Sequence, residues 1–204
     1  MTGLRATTPK GERAAESIIE ATVRCLARDG YAATSVQRIA DEAGVQKRMV
    51  HYYFASREQL FDAVVRRVGD ALLTSVAEAV RDLEDPPDIV AVGFDRFWSG
   101  VTSDRALLTA YFGLVAEAVT DPRLRSTIAY VTDGYRDLIA LMAARAKERG
   151  RALRMDEETL TVLIIAGING LTLEWLTHGD TPQLAKAIAA FQEWLASVTD
   201  PVSS

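Results

Sequence analysis

The chain is poor in the residues that carry chemistry. Among its 204 residues are one cysteine and two histidines. A single cysteine, Cys25, excludes an internal disulfide, and no CxxC accompanies it. It falls on the apolar face expected for the first helix and reads as a buried thiol. His51 and His178 have no other His or Cys near them at metal-ligand spacing, so no metal site is expected. No glycine-rich phosphate loop, GxSxG elbow or Ser/His/Asp order stands out. The acidic pair Glu157 and Glu158 sits at a helix start, where the macrodipole favours it in any case. Enzyme chemistry therefore finds no support, and no cofactor is expected. Long apolar runs are also missing. The most apolar stretch, residues 159–173, is interrupted by Asn169 and flanked by Glu157, Glu158 and Glu174, and it is too short to span a bilayer. The opening MTGLRATTPKGER has no apolar core of a signal peptide. A cytoplasmic protein with no membrane partner is expected. Strand signals are lacking as well, since no alternating run is bounded by hairpin turns.

What is present is helical punctuation around an apolar pattern. The apolar fraction of 49% is that of a folded globular chain. Ser56 with Gln59 makes a capping box, Ser103 or Asp104 caps another start, and Asp121-Pro122 and Thr181-Pro182 open two more. Asp85-Pro86-Pro87, Gly150 and Gly179 mark stops. The fold expected is all-α with about nine helices. The division expected is a reader domain at 1–55 and a larger helical domain at 56–204. Charge is unevenly shared between the two ends. Residues 1–68 hold 11 Lys+Arg against 8 Asp+Glu, whereas residues 69–204 hold 12 against 20. A mildly basic module on an acidic body fits local contact with nucleic acid rather than general stickiness.

Residues 30–60, GYAATSVQRIADEAGVQKRMVHYYFASREQL, give that module a form. Thr34 or Ser35 can cap a helix, with Gln37 three residues after Thr34 as a capping box requires. Val36, Ile39, Ala40 and Ala43 form one apolar face. Gly44 can take the left-handed conformation that ends a helix. Val45 and Val50 then turn inward, and small Ala40 and Ala43 let the next helix approach. That layout is a helix-turn-helix. The outward groups of its second helix are Gln46, Lys47, Arg48, Met49, His51 and Tyr52. From Val45 to Ser56 there is no acid, whereas a solvated surface helix usually mixes its signs. Phosphate and base-edge contact is the reading that follows.

These residues resemble the DNA-binding domain of the TetR family of bacterial transcriptional regulators. The resemblance runs over residues 14–65. It rests on Ile18-Ile19, Ala21, Gly30-Tyr31, Thr34-Ser35-Val36, Ile39-Ala40, Ala43-Gly44-Val45, Tyr52-Tyr53-Phe54 and Ser56 through Phe61. It departs at Gln46, Arg48, Met49 and His51, which bears on the operator sequence rather than on the mode of binding. It implies double-stranded operator DNA as a partner, read by Lys47, Arg48, His51, Tyr52 and Arg57, with Ser35 and Gln37 contributing from the preceding helix. It also implies a homodimer on a near-palindromic site and a small-molecule effector that releases it.

Two features of residues 56–204 bear on the effector and the dimer. Phe94, Phe97 and Trp98, with Tyr111 and Phe112 on the next helix, form an aromatic cluster. It is either solid core or, on the reading preferred, the wall of a cavity for an apolar or amphipathic ligand. Ile164, Gly167, Ile168, Gly170, Leu171 and Trp175, extended by Phe191 and Trp194, form a stripe that a partner copy would cover. Asn169 is a satisfied amide, a polar pair across that seam, or a ligand contact. Two other functions stay open: an interaction module scaffolded on DNA without an inducer, and a small-molecule binder with a vestigial DNA module.

Overall fold

The computed structural model describes residues 8–201, which contain nine helices and two short strands. They are α1 (Pro9–Ala33), α2 (Val36–Ala43), α3 (Lys47–Tyr53), α4 (Arg57–Ala79), α5 (Pro86–Ser103), α6 (Arg105–Thr120), α7 (Pro122–Glu148), β1 (Arg151–Leu153), α8 (Glu157–His178), α9 (Pro182–Ala196) and β2 (Thr199–Pro201). The all-α expectation holds. Helix starts follow the cap chemistry. Asp104 accepts from the Leu107 amide, Asp156 from Thr159 and Thr181 from Leu184, each satisfying an amide that has no partner inside its helix. At α4, Ser56 Oγ accepts from the Gln59 amide and the Gln59 side chain accepts in return from the Ala55 amide.

Three local expectations are corrected. Ser35, not Thr34, caps α2, and the Thr34–Gln37 box does not form. Thr34 Oγ1 instead donates to the Gly30 carbonyl, and Gln37 turns to Asp41. Helix four stops at Ala79, short of the stop expected at Asp85-Pro86-Pro87. Strands do occur: β1 and β2 pair antiparallel, Ala152 opposite Asp200. Three residues each is too short to leave an alternating pattern, and side chains reinforce the backbone pairing. Arg151 donates from Nε to Thr199 Oγ1, and Arg154 grips the Asp200 carboxylate with two bonds of 2.7 and 2.8 Å.

Packing divides the chain into two compact units. The first takes the described residues up to Gly69 together with Asp104–Val131, and the second takes Asp70–Ser103 and the chain from Thr132 onward. This cuts across the boundary expected at 55/56. The reason is α6, which packs along α1 and buries Leu108, Ala110, Tyr111 and Leu114 there.

In the second unit α4 and α7 run parallel. Gly134 meets the Leu73 side chain, Arg145 donates to the carbonyls of Val80 and Arg81, and Arg149 donates to those of Leu83 and Glu84. The two arginines thus cap carbonyls left over beyond the end of α4. Helix five runs antiparallel to α4, with Gly93 against Val76 and Val80 and Gly100 against Leu72. Helix nine lies on α8 at Gly167, where an added Cβ would run into the Phe191 ring. That ring is itself held by Phe94 at 6.0 Å and Trp194 at 5.4 Å, so it cannot simply swing away. Gly167→Ala should therefore cost about 1–3 kcal/mol through overpacking. A urea melt of the variant checks this, and an unchanged midpoint would show slack between α8 and α9.

Candidate nucleic-acid interface and ligand cavity

The reader is aimed by its turn. Gly44 sits at φ 67, ψ 28, and two bonds close the end of α2: Val45 N–H to Ala40 O at 2.9 Å and Gly44 N–H to Asp41 O at 3.2 Å. A side chain with a Cβ is strained at that φ. Ile39 and Ala40 are fully buried beneath α3, which answers with Val50 and Tyr53. The opposite face of α3 is open. Gln46, Lys47, Arg48, His51 and Tyr52 are exposed, and Met49 is half-buried. Gln46 stands at the N-cap but makes no side-chain cap bond, leaving its amide outward. Among the described residues Lys47 and Arg48 make no ion pair, whereas Arg24, Arg28 and Arg38 nearby are all paired. Two unneutralised cations on one open helix face suit phosphate contact.

The three candidates off α3 are placed differently. Ser35 is exposed but its Oγ is occupied in capping, at 3.2 Å from the Arg38 amide. Gln37 is exposed and donates to Asp41 at 2.8 Å. Arg57 is half-buried, with its guanidinium 4.5 Å over the Tyr31 ring and 5.4 Å over Phe61, and it donates to Thr34 O. It braces the corner between α1 and α2 instead of standing free like Lys47.

A charge network absent from the sequence reading ties α2 to α1. Glu42 receives Arg24 at 2.8 Å and Arg28 at 3.0 Å, while Asp29 receives Arg28 at 3.0 Å and Arg38 at 3.2 Å. Arg24 and then Arg28 hold the Glu42 carboxyl below its ordinary range, and Arg28 does the same for Asp29. Exposed pairs contribute little singly, but together they fix how α2 lies on α1, and so how α3 is presented. Residues as far apart as Arg28 and Glu42 give no local pattern to read. In the same unit the Tyr31 hydroxyl donates to Asp121, whose carboxyl Arg123 draws down to about 2. Cys25 is fully buried, and burial pushes its thiol up, as an unreactive core cysteine requires.

The second unit holds a cavity of about 200 Å³. Of the aromatic cluster, Phe94 and Phe97 line it, with Tyr135 beside them. Most of the wall was not anticipated. It is aliphatic: Leu72, Leu73, Val76 and Val80 from α4, and Leu138, Ile139 and Met142 from α7. The four expected ligand residues Trp98, Tyr111, Phe112 and Asn169 do not line it. Trp98 stacks on the outside of Phe94, rings 6.0 Å apart and within 11° of parallel. Tyr111 and Phe112 belong to the first unit, because α6 turns its apolar face to α1, and burial there pushes the Tyr111 hydroxyl up to about 12. Asn169 is half-buried on α8, away from the cavity. The sequence signal for this wall is the apolar stripe Leu138, Ile139 and Met142 on α7, which carries no aromatic mark.

The expected seam residues also separate. Ile164 and Ile168 face the cavity, Gly167 receives Phe191 of the same chain, and Trp175 is buried. Phe191 and Trp194 pack on each other, with Phe191 also on Phe94. Leu171 is half-buried, and only Gly170 stands open. The face of α8 left uncovered carries Val162, Leu163 and Leu173, which are 57, 44 and 49% exposed, with Ala166 between them.

Known proteins match both parts of this description. The family model described as bacterial regulatory proteins of the tetR family matches residues 18–64. The model of the C-terminal part of BetI-type transcriptional repressors matches residues 94–200. A nicotine-responsive transcriptional repressor, HdnoR of Paenarthrobacter nicotinovorans, is 24% identical over 82% of this chain and 86% of its own. Two solved structures share the fold. A transcriptional regulator from Saccharomonospora viridis, in complex with choline, has a TM-score of 0.75 at 19% identity, over 93% of this chain and 99% of that one. The regulator FadR from Bacillus subtilis, in complex with stearoyl-CoA, has a TM-score of 0.77 at 20% identity, over 89% and 97%. The second family model alone covers more than half of the residues, and with the first it accounts for the reader and the cavity alike: the chain belongs to the TetR family of bacterial transcriptional regulators, with a repressor-type C-terminal region.

Proposed function

We propose that the protein acts in the cytoplasm as a dimeric repressor that places α3 of each copy in a major groove and is released by an apolar or amphipathic ligand in the cavity of its second unit. The carrying observation is the open face of α3, where Lys47, Arg48, His51 and Tyr52 stand exposed with no acid on the helix. Lys47 and Arg48 would hold phosphates, Gln46 and Met49 would meet base edges, and Tyr52 would hold a phosphate through its hydroxyl. Ser35 and Gln37 would approach the backbone from α2, and Arg57 would support the corner they stand on. A vestigial reader has no need of such a face. An interaction module without an inducer has no need of the cavity.

The dimer reading is supported by α8. Its most apolar window has a mean hydropathy of 1.5, yet only 22% of it is buried. By length and composition alone it passes as a membrane span, but its other side packs on α9 and lines the cavity. A second copy laid along Val162, Leu163, Ala166, Gly170 and Leu173 covers the open side and brings two readers into two-fold relation. The ligand would favour a state in which the two readers no longer match their half-sites, by binding that state more tightly.

Selection of genomic fragments by the purified protein, followed by footprinting, tests this reading. The expected result is a symmetric protected site whose half-site centres are spaced by about 34–36 Å or a multiple of it. A folded dimer that retards no fragment would overturn it.

A further inference from the structure

We propose that the cavity takes an acyl chain ending in an anionic head, with the tail toward Tyr135 and the head at Arg149. This rests on the reading of the cavity as the effector site and adds the ligand's class and direction.

The register of α4 on α7 makes the cavity a directed slot. Leu73 lies by Gly134, Val80 by Arg145 and Glu84 by Arg149, so the wall on both helices advances the same way. On α7 and the turn after it, the wall runs from Tyr135 to Arg149, about 21 Å at the helical rise. A volume of about 200 Å³ spread over that length suits one chain better than a fused ring system. Among the described residues its charged liners are Glu84 and Arg149, which stand together at one end. Between the ends the surface is apolar, aliphatic apart from the Phe94 ring, which offers a tail burial and no competing polar contact.

The sign of the head follows from what surrounds it. A quaternary ammonium is held by aromatic faces with a carboxylate close by. Here the rings and the acid are separated. Phe97 and Tyr135 meet edge to face, 6.3 Å apart, at the end opposite Glu84. The Glu84 carboxylate is 85% exposed and 3.9 Å from Arg149, so it points largely into water. Arg149 is better fixed. Its Nη1 donates to the carbonyls of Leu83 and Glu84, which sets the plane of the guanidinium. Nη2 makes only the long contact with Glu84, and among the described residues Nε makes no hydrogen bond. That free edge is the shape a carboxylate or phosphate takes in a two-bond grip. The strand pair β1–β2 contributes Leu153 and Thr199 to the cavity, and Arg151, on Thr199, adds a second cation beside it.

The test titrates the full chain with dodecanoate, dodecanoyl-coenzyme A, dodecanol, dodecyltrimethylammonium and choline, each below micelle formation, by calorimetry. Dodecanoate or its thioester should saturate one site per chain, and the better of the two identifies the head. Dodecanol should bind at least about tenfold more weakly, the worth of one charge-assisted bond. Arg149→Gln should erase the preference for acid over alcohol while leaving dodecanol affinity in place. Because Arg149 also holds the turn after α4, the variant is accepted only if its melt stays cooperative, and Arg149→Lys should restore part of the preference. Ala143→Phe, which fills the slot midway, should shift the optimum in a decanoate-to-hexadecanoate series toward shorter chains. Tighter binding of choline or of the cationic amphiphile, an Arg149→Gln protein that still prefers the acid, or an unmoved chain-length optimum overturns the proposal. A parallel operator-release assay separates it from the functional reading. Release by a cationic ligand, with no acyl binding, ends this proposal and spares the inducer role. Saturable acyl binding that leaves operator affinity unchanged supports this ligand class and ends the inducer role.

Discussion

Replacing Lys47 and Arg48 together by alanine should lower operator affinity about 30-fold at roughly 0.15 M salt and reduce the slope of log affinity against log salt by about 1.8. Each phosphate neutralised contributes about 0.9 to that slope, and the value of the contact at a given salt follows from it. Both side chains are exposed and unpaired among the described residues, so the variant should melt with the parent protein. Fluorescence anisotropy with a labelled operator across a salt series reads both quantities. Unchanged affinity and slope would remove these two residues from the interface. Arg57→Met should behave otherwise. It strips a cation from between Tyr31 and Phe61, so it should lower the melting point before it lowers the salt slope.

Leu173→Glu should convert the dimer to monomer and remove tight operator binding. In a lone chain Leu173 is 49% exposed, so the substitution costs the monomer little. In a two-fold seam it places two carboxylates in an apolar contact, at a penalty of about 3 kcal/mol or more, which is over a hundredfold in dimer dissociation. Sedimentation at micromolar chain should show the change, with helical content preserved. A Leu173→Glu protein that sediments as the parent would put the seam elsewhere. Trp175→Glu cannot serve in its place: Trp175 is buried within its own chain, and its loss would unfold the unit that carries the seam.

The reader was legible because local chemistry determines it. Ser35 caps, Gly44 alone tolerates its φ, and Val50 has one face to turn to. Helix starts at Asp104 and Thr181 were legible for the same reason. The second unit was harder because an apolar face does not name its neighbour. Tyr111 and Phe97 look equally fit to line a cavity, and only the packing of α6 on α1 sends Tyr111 elsewhere. Helix eight is apolar on nearly every side, so its pattern has no phase. Ile164 and Val162 were therefore indistinguishable, though one faces the cavity and the other open space. Gly167 and Gly170 are alike in sequence, yet one is filled by Phe191 and the other meets nothing.

Helix three has only seven residues, and they serve two separate demands. Val50 and Tyr53 dock it on the rest of the fold, while Lys47, Arg48 and His51 stand exposed and Tyr52 meets its own chain at the edge of the Tyr53 ring, 5.0 Å away. Folding therefore constrains the outer residues very weakly. A substitution there alters what the helix meets outside without changing where the helix lies. Operator preference can then shift at almost no structural cost, with half-buried Met49 the outer position most constrained by its own fold. Two proteins with superposable readers would be expected to recognise unrelated sites, and likeness of fold alone is a poor guide to the genes a protein of this kind controls.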